Sequence, residues 1–444
     1  RQRKKRGTSI ELDKMNLRVS SSSVQRRVAA AAGSSRVVSA RSARASCTGK
    51  RVRCQKLNLD QSSLGSTPSL LVNSRTTRVS RCQAQSEGKA DYRSKNPGDV
   101  SVMVAGGTGY IGRAVVKELL NRGYNTIVLA REDSGIGGAE GKAETIKRFE
   151  GATVEFGDVT KTSSLNQALG KHKVDVFVSC LASRTGGKKD SWLIDYQATK
   201  NCLDEAIKAG ASHFVLLSAI CVQKPLLEFQ HAKLKFEDEL MASTKDISYS
   251  IVRPTAFFKS LAGQVESVKK GGPYVYFGEG DLCACKPISE RDLASFIVNC
   301  VSDESKVNQM LPIGGPGKAY TPKEQADLLF GLMGEKPKYF PVPISLMDGI
   351  IGIFDFLAKY FPSLEDPAEF GKIGRYYATE SMLVYDPRTG TYDADATPEY
   401  GEDTLEYFFK NALEKVSEKD DKHKEKKKRK ADPRSTPLMA ALSQ

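Results

Sequence analysis

Apolar positions in this chain change period in a regular way from residue 100 onward. Val100 to Ala105 is a short apolar run without alternation, the pattern of a strand covered on both faces of a parallel sheet. Ile111 to Leu120 then repeats apolar residues at i, i+3 and i+4, which predicts an amphipathic helix. Further strand-like runs follow at Thr126 to Ala130, Thr153 to Phe156, Val174 to Cys180 and His213 to Ser218, and a sixth ends at Arg253. Strands separated by helical stretches predict a doubly wound parallel sheet. Farther on, Ile344 to Phe361 is apolar except for Ser345, Asp348, Gly352, Asp355 and Lys359, which recur along one side. It reads as an amphipathic helix whose broad apolar face packs on the core of a second lobe, in preference to docking on a membrane. No stretch is apolar enough to span a bilayer.

The first strand runs into Gly106-Gly107-Thr108-Gly109-Tyr110-Ile111-Gly112. In this G-x-x-G-x-x-G spacing, Gly106 permits a tight turn, Gly109 lets the backbone approach a pyrophosphate, and Gly112 lets the helix pack closely on the strand. Phosphates then face the N-terminal amides of the helix. Arg131 lies at the end of the second strand, 25 positions after Gly106, near the roughly 20-residue offset where such folds read the adenosine ribose. An arginine there favours a 2′-phosphate, hence NADPH over NADH. Asp158 and Val159 follow the third strand, where related proteins contact the adenine, and Leu181, Ala182 and Ser183 follow the fourth, where they are expected along the cofactor. The fold class is therefore α/β, a Rossmann-type doubly wound parallel sheet with a smaller C-terminal substrate lobe. Its expected extents are 95–253 for the nucleotide-binding part and 254–413 for the lobe, which shares residues with the sheet.

The stretch from Ser218 to Lys233 resembles the Ser-Tyr-Lys catalytic set of short-chain dehydrogenases, with Phe229 in place of the tyrosine. A carbonyl reductase needs an acid beside the oxygen that becomes an alkoxide, and phenylalanine has no proton to give. Hydride is then expected at an electron-poor carbon–carbon double bond whose charge spreads into a conjugated substrate. Ser218 and Lys233 are the catalytic candidates, with Lys233 holding the nicotinamide ribose or supplying a proton. The plainer readings are a turn cap for Ser218 and an exposed helical lysine for Lys233. His231 is a rival proton donor.

Charge sits at the ends of the chain. Residues 1–90 hold 20 Lys+Arg and 4 Asp+Glu, which leaves 47 and 49 in the remainder, a balance of −2 against +14 for the whole. The part expected to fold thus carries no nucleic-acid footprint, and no nucleic-acid partner is expected. Many hydroxyls, scattered arginines and few acids mark 1–94 as an organellar transit peptide with a basic leader. Residues 414–444, with Lys426-Lys427-Lys428-Arg429-Lys430, read as a lysine-rich disordered tail. Nine cysteines are scattered without a C-x-x-C pair, which points to free buried thiols in a reducing compartment and to no metal site.

Long blocks carry a closer resemblance: Phe214 to Phe229, Ser179 to Arg184, Lys189 to Trp192, Ile251 to Ser260, Cys283 to Ser289, Leu311 to Gly317 and Glu369 to Ala378. They are similar to the plant and algal 3,8-divinyl chlorophyllide a 8-vinyl reductases, an atypical NmrA-like branch of the short-chain dehydrogenases. The resemblance implies a plastid enzyme of chlorophyll synthesis that reduces a vinyl group to ethyl with NADPH, acts on a tetrapyrrole and has a possible peripheral association with plastid membranes. An isoflavone-reductase-like ene reductase and an NADPH-sensing regulator are the alternatives. On this reading Phe229, Phe257 and Phe258 meet the flat macrocycle, and Arg253, Lys259 and Lys286 are candidates for its propionate. Asp190, Ser191 and Trp192 are expected beside the nicotinamide.

Overall fold

In the computed structural model, residues 92–133 and 141–431 are described, with side chains through residue 418. Seven parallel strands form the central sheet: β1 (Ser101–Ala105), β2 (Asn125–Ala130), β3 (Thr153–Phe156), β4 (Val176–Ser179), β5 (His213–Leu217), β6 (Ser248–Pro254) and, beyond the short strand β7 (Tyr274–Phe277), β8 (Gln309–Ile313). Their spatial order is β3-β2-β1-β4-β5-β6-β8. Chain direction across the sheet therefore reverses between β1 and β4, and the crevice at the carboxyl ends there is where ligands of open α/β sheets sit.

Alternate residues of each strand enter different cores, which explains the unbroken apolar runs. Val102, Val104, Val128, Val178, Val215 and Val252 share one core with Ile111, Val115 and Leu119 of α1 (Tyr110–Asn121). Met103, Ile127, Leu129, Phe177, Phe214, Leu216 and Ile251 enter the other, under Leu165, Cys202, Leu203, Phe236 and Leu240. These come from α2 (Thr162–Leu169), α3 (Thr199–Lys208) and α4 (Glu228–Ala242). Ahead of α3, residues Ser191–Ala198 form a π-helical segment, a geometry that re-aims side chains within a helix and recurs at functional sites.

The sheet takes more of the chain than the expected 95–253. β8 pairs with β6, and α5 (Glu290–Ser302) packs on α1, so segments of the expected lobe complete the nucleotide-binding layers. At the other end Tyr92 is buried, its hydroxyl donating to the Val301 carbonyl at 2.7 Å. The lobe itself holds β7 paired with β9 (Tyr339–Val342), α6 (Pro322–Met333), α7 (Ile344–Ala358) and α8 (Glu365–Thr379).

Two elements differ from what the sequence predicts. The charged run from Lys415 is helical: α9 (Leu405–Ala431) carries the chain through it. Leu405, Phe409 and Leu413 anchor its first turns beside Phe258 and Phe330, and its many Glu and Lys are good helix formers. The apolar face of α7 is not consumed by a core either, since Ile351 alone among its residues is buried. Ile350, Ile353 and Phe356 are exposed, with Tyr360 and Phe361 just beyond. α7 meets α8 through two flat places, Gly371 opposite Ile351 and Gly374 opposite Met347. Among the described residues no helix is long and apolar enough to cross a membrane.

Candidate active site

The turn after β1 touches the end of β4. Gly106 has φ +76°, and a Cβ on it would stand 2.5 Å from the Cys180 carbonyl oxygen. A Cβ on Gly112 would stand 2.2 Å from the Gly106 carbonyl oxygen, so α1 closes onto the turn at backbone contact. The first amides of α1, which have no partner inside the helix, lie at this carboxyl edge behind Thr108 and Gly109. Such a cradle fits a pyrophosphate. Ile111 can offer only its backbone, because its side chain is in the core. The Tyr110 hydroxyl donates to Glu290, and burial first, then Glu290, pushes that phenol well above its ordinary value.

Arg131 is exposed directly after β2. Asp158, after β3, accepts from the Thr160 amide at 3.0 Å and hydroxyl at 2.7 Å. Burial works to raise its carboxyl, but these bonds and the Lys161 ammonium outweigh burial and hold it below its ordinary value. Asn201 donates to the Val159 carbonyl at 3.1 Å, tying this loop to α3. Asp190 accepts from the Arg184 and Thr185 amides, and the Trp192 indole donates to Glu228 at 2.8 Å, which fixes the loop after Ser183.

Lys233 is buried, not an exposed helical lysine. Its ammonium lies 2.9 Å from Asp195 Oδ1, with the two side chains 10% and 1% exposed. Asp195 belongs to the π-helical segment and also accepts from the Ser183 amide, so the pair ties α4 to the loop after β4. Ser218 takes part in a second buried cluster: its hydroxyl donates to Glu237, which also receives the guanidinium of Arg253. That arrangement engages the Ser218 hydroxyl in a buried link between β5 and α4. Sequence reading missed Asp195 and Glu237. Asp195 stands alone among apolar residues in Leu193-Ile194-Asp195-Tyr196, a signal that was there to find, whereas Glu237 looked like part of a solvated charged stretch. His231 is exposed.

Beyond Ser218 the chain turns through Ile220–Gln223. This turn, the Pro254 to Phe257 segment after β6 and the lobe enclose a cavity of about 520 Å³, a size suited to one organic ligand. Its wall is aromatic and apolar, with Phe257, Tyr274, Tyr276, Phe277, Tyr320 and Tyr377, the thiols of Cys221, Cys283 and Cys285, and the carboxylate of Glu380. Glu380 is paired with Lys224 at 2.7 Å.

Of the residues expected at the substrate, Phe257 lines this cavity and the others do not. Phe258, next in the chain, points the opposite way into the lobe core, with its ring centroid 5.1 Å from that of Phe408. Phe229 packs on the apolar cluster that holds Ile220, Cys221, Leu227 and Tyr376 and is not among the residues that line the cavity. Arg253 is committed to Glu237, and Lys286 is buried against Glu399 at 2.7 Å. Lys259 Nζ stands 4.6 Å from the Tyr110 ring centroid, on the side of the glycine turn. Arg253 is held by an interior carboxylate and Lys286 by Glu399 at the surface, pairings that a linear sequence does not display.

Comparison with known proteins agrees with this arrangement. Residues 106–304 match a family described as NAD(P)H-binding. The chain is 63% identical over 330 residues to the chloroplastic divinyl chlorophyllide a 8-vinyl-reductase of Cucumis sativus, covering 73% of this chain and 79% of that one. It is 62% identical over 328 residues to the protein of the same name from Arabidopsis thaliana, covering 72% and 79%. Among solved structures, an NADPH-dependent quinone oxidoreductase from Escherichia coli complexed with NADPH shares the fold, with a TM-score of 0.51, 16% identity and coverage of 71% of this chain and 99% of that one. At that identity over most of both chains, this protein belongs to the divinyl chlorophyllide a 8-vinyl-reductase family.

Proposed function

We propose that this protein reduces the 8-vinyl group of divinyl chlorophyllide a to ethyl with NADPH, in chlorophyll synthesis inside plastids. The observation that carries the reading is the 63% identity to a chloroplastic reductase of that name over most of both chains. The cavity supports it. It is walled by rings suited to a flat macrocycle and opens at the carboxyl edge of β5 and β6, and the chain has Phe229 where a carbonyl reductase needs a phenol.

Bound NADPH supplies a hydride, which the conjugated vinyl group accepts at its terminal carbon. The protein binds and orients. The cradle of Gly106, Thr108, Gly109, Tyr110, Ile111 and Gly112 holds the pyrophosphate, and exposed Arg131 takes the 2′-phosphate that distinguishes NADPH. Asp158 and Val159 border the adenine. Leu181 to Ser183 lie along the dinucleotide, and Lys233, fixed by Asp195, holds the nicotinamide ribose. Phe257 and the cavity tyrosines stack on the pigment.

Peripheral attachment to plastid membranes belongs to the same reading. The exposed Ile350, Ile353 and Phe356 of α7, Phe361 after it and Phe370 of α8 are the apolar residues offered to such a surface. α8 also lends Gly374, Tyr377 and Ala378 to the cavity wall, so one helix contributes to both this apolar set and the cavity. Residues 1–91, which include nearly all of the expected transit peptide, lie outside the described residues.

The test is to incubate the purified protein with NADPH and divinyl chlorophyllide a and record the Soret band. A blue shift accompanied by NADPH oxidation is the expected result. A band that stays in place while the protein demonstrably binds NADPH removes the reading.

A further inference from the structure

Vinyl reduction needs a proton as well as a hydride, and the tyrosine that donates protons in short-chain dehydrogenases is absent at Phe229. The cavity offers a replacement from the opposite wall. Tyr377, on α8, lines the cavity with 46% of its surface exposed, while its hydroxyl lies 3.9 Å from Cys221 Sγ. A thiol at that range is a weak partner, so the phenolic proton remains available to a ligand. Cys221 follows Ser218 by three residues and lies within the field of the Lys233 ammonium, which opposes the rise that burial imposes on its thiol. The hydroxyl of Tyr377 therefore sits beside the turn that follows β5, at the part of the cavity wall formed by Cys221. Its position is fixed on both sides. The neighbouring Tyr376 hydroxyl donates to the Cys221 and Lys224 carbonyls at 2.9 and 3.1 Å, and Cys283 Sγ donates to the Tyr377 carbonyl at 3.5 Å. Tyr274, another phenol in the wall, is instead hydrogen-bonded to Gln325 at 3.2 Å.

We propose that Tyr377 is the proton donor of the vinyl reduction; the inference rests on the function proposed above. As hydride arrives at the terminal vinyl carbon, the C=C π bond breaks and its electron pair passes to the inner carbon and the macrocycle. The Tyr377 O–H bond then breaks, a C–H bond forms at the inner carbon, and the phenolate recovers a proton from water through the cavity mouth. The net change is one NADPH and one proton consumed per vinyl group reduced. Burial pushes this phenol well above its ordinary value, so it is protonated throughout the assay range and transfers its proton only as the strongly basic carbanion forms.

The experiment compares the full chain with Tyr377→Phe and with Tyr407→Phe, an exposed tyrosine on α9 remote from the cavity. Loss of a general acid predicts a kcat lower by about 10²–10⁴-fold in Tyr377→Phe. Its KM for pigment and its pigment affinity measured by fluorescence quenching without nucleotide stay at parental values, and Tyr407→Phe keeps the parental rate. As a second arm, 3,5-difluorotyrosine at position 377 lowers the phenol's pKa, so an alkaline fall of kcat appears at a pH where the parental rate is still flat. A parent that turns over pigment while Tyr377→Phe keeps its kcat, or while fluorination leaves the pH profile in place, overturns the proton-donor assignment and leaves the function standing. A parent that binds NADPH and pigment without turnover removes the function, and the assignment with it.

Discussion

Removing either partner of the Lys233–Asp195 pair should destabilise the fold strongly, and removing both should cost no more than removing one. The ammonium and carboxylate are 2.9 Å apart, with 10% and 1% of the side chains exposed. Asp195→Asn leaves a cation stranded in the interior, and Lys233→Met leaves an anion served by the Ser183 amide at 3.3 to 3.4 Å. Breaking such a buried pair costs about 3 kcal/mol or slightly more for each single substitution, because the remaining charge is uncompensated. Independent sites would then sum to about 6 kcal/mol, whereas loss of both charges together predicts about 3, a coupling of about 3 kcal/mol. Urea unfolding followed by circular dichroism measures all four proteins. Because the pair is shielded from solvent, the coupling persists in high salt, where the screening length has fallen to about 3 Å. Additivity within about 0.5 kcal/mol, or a coupling that disappears with salt, would show that the two charges are not a buried pair.

Other expectations follow from single sites. His213 is buried between the Ser248 and Ser250 hydroxyls, and burial, helped by the Arg93 charge, pushes its imidazole down to about 3 from 6.5. Since the unfolded chain binds the proton first, stability is fully present above pH 6.5 and declines as pH falls toward 3, by about 1.4 kcal/mol per unit. Urea midpoints across that range should slope less in His213→Gln, and an equal slope contradicts the assignment. Gly112→Ala forces a Cβ toward the Gly106 carbonyl oxygen; NADPH affinity, read by fluorescence titration, should fall about tenfold or more, equivalent to 1.4 kcal/mol, and unchanged binding argues against the cradle. Arg131→Ala should lower the preference for NADPH over NADH by about 10- to 100-fold, the worth of a charge-assisted hydrogen bond, and an unaltered ratio removes Arg131 from the 2′-phosphate.

The parts of this molecule that obey short-range rules were legible in the sequence. Val100 to Ala105 and the later apolar runs announced a sheet covered on both faces, and Gly106 and Gly112 announced a backbone contact that a Cβ would block. Long-range pairing was not legible. Arg253 and Lys286 looked like anchors for a substrate carboxylate, yet Glu237 and Glu399 claim them from 16 and 113 positions away. Ser218 was placed at the correct edge but its hydroxyl was captured by Glu237. Phe257 and Phe258 are equivalent in composition, and only the start of a short helix at Phe258 decides which of them faces the cavity. The apolar side of α7 shows the reverse case, in which a correct helical pattern carried no information about what, if anything, covers it.

Hydride passes from a bound dihydronicotinamide to the outer carbon of a pigment vinyl group, and the fate of an isotope shows whether it does. NADPH deuterated at the transferring position of C4 is supplied with divinyl chlorophyllide a, and the label is located by magnetic resonance after turnover. Deuterium is expected on the terminal carbon of the new 8-ethyl group and none on its inner carbon, which takes its hydrogen from solvent. An ethyl product without label, or with label on the inner carbon, rules this transfer out.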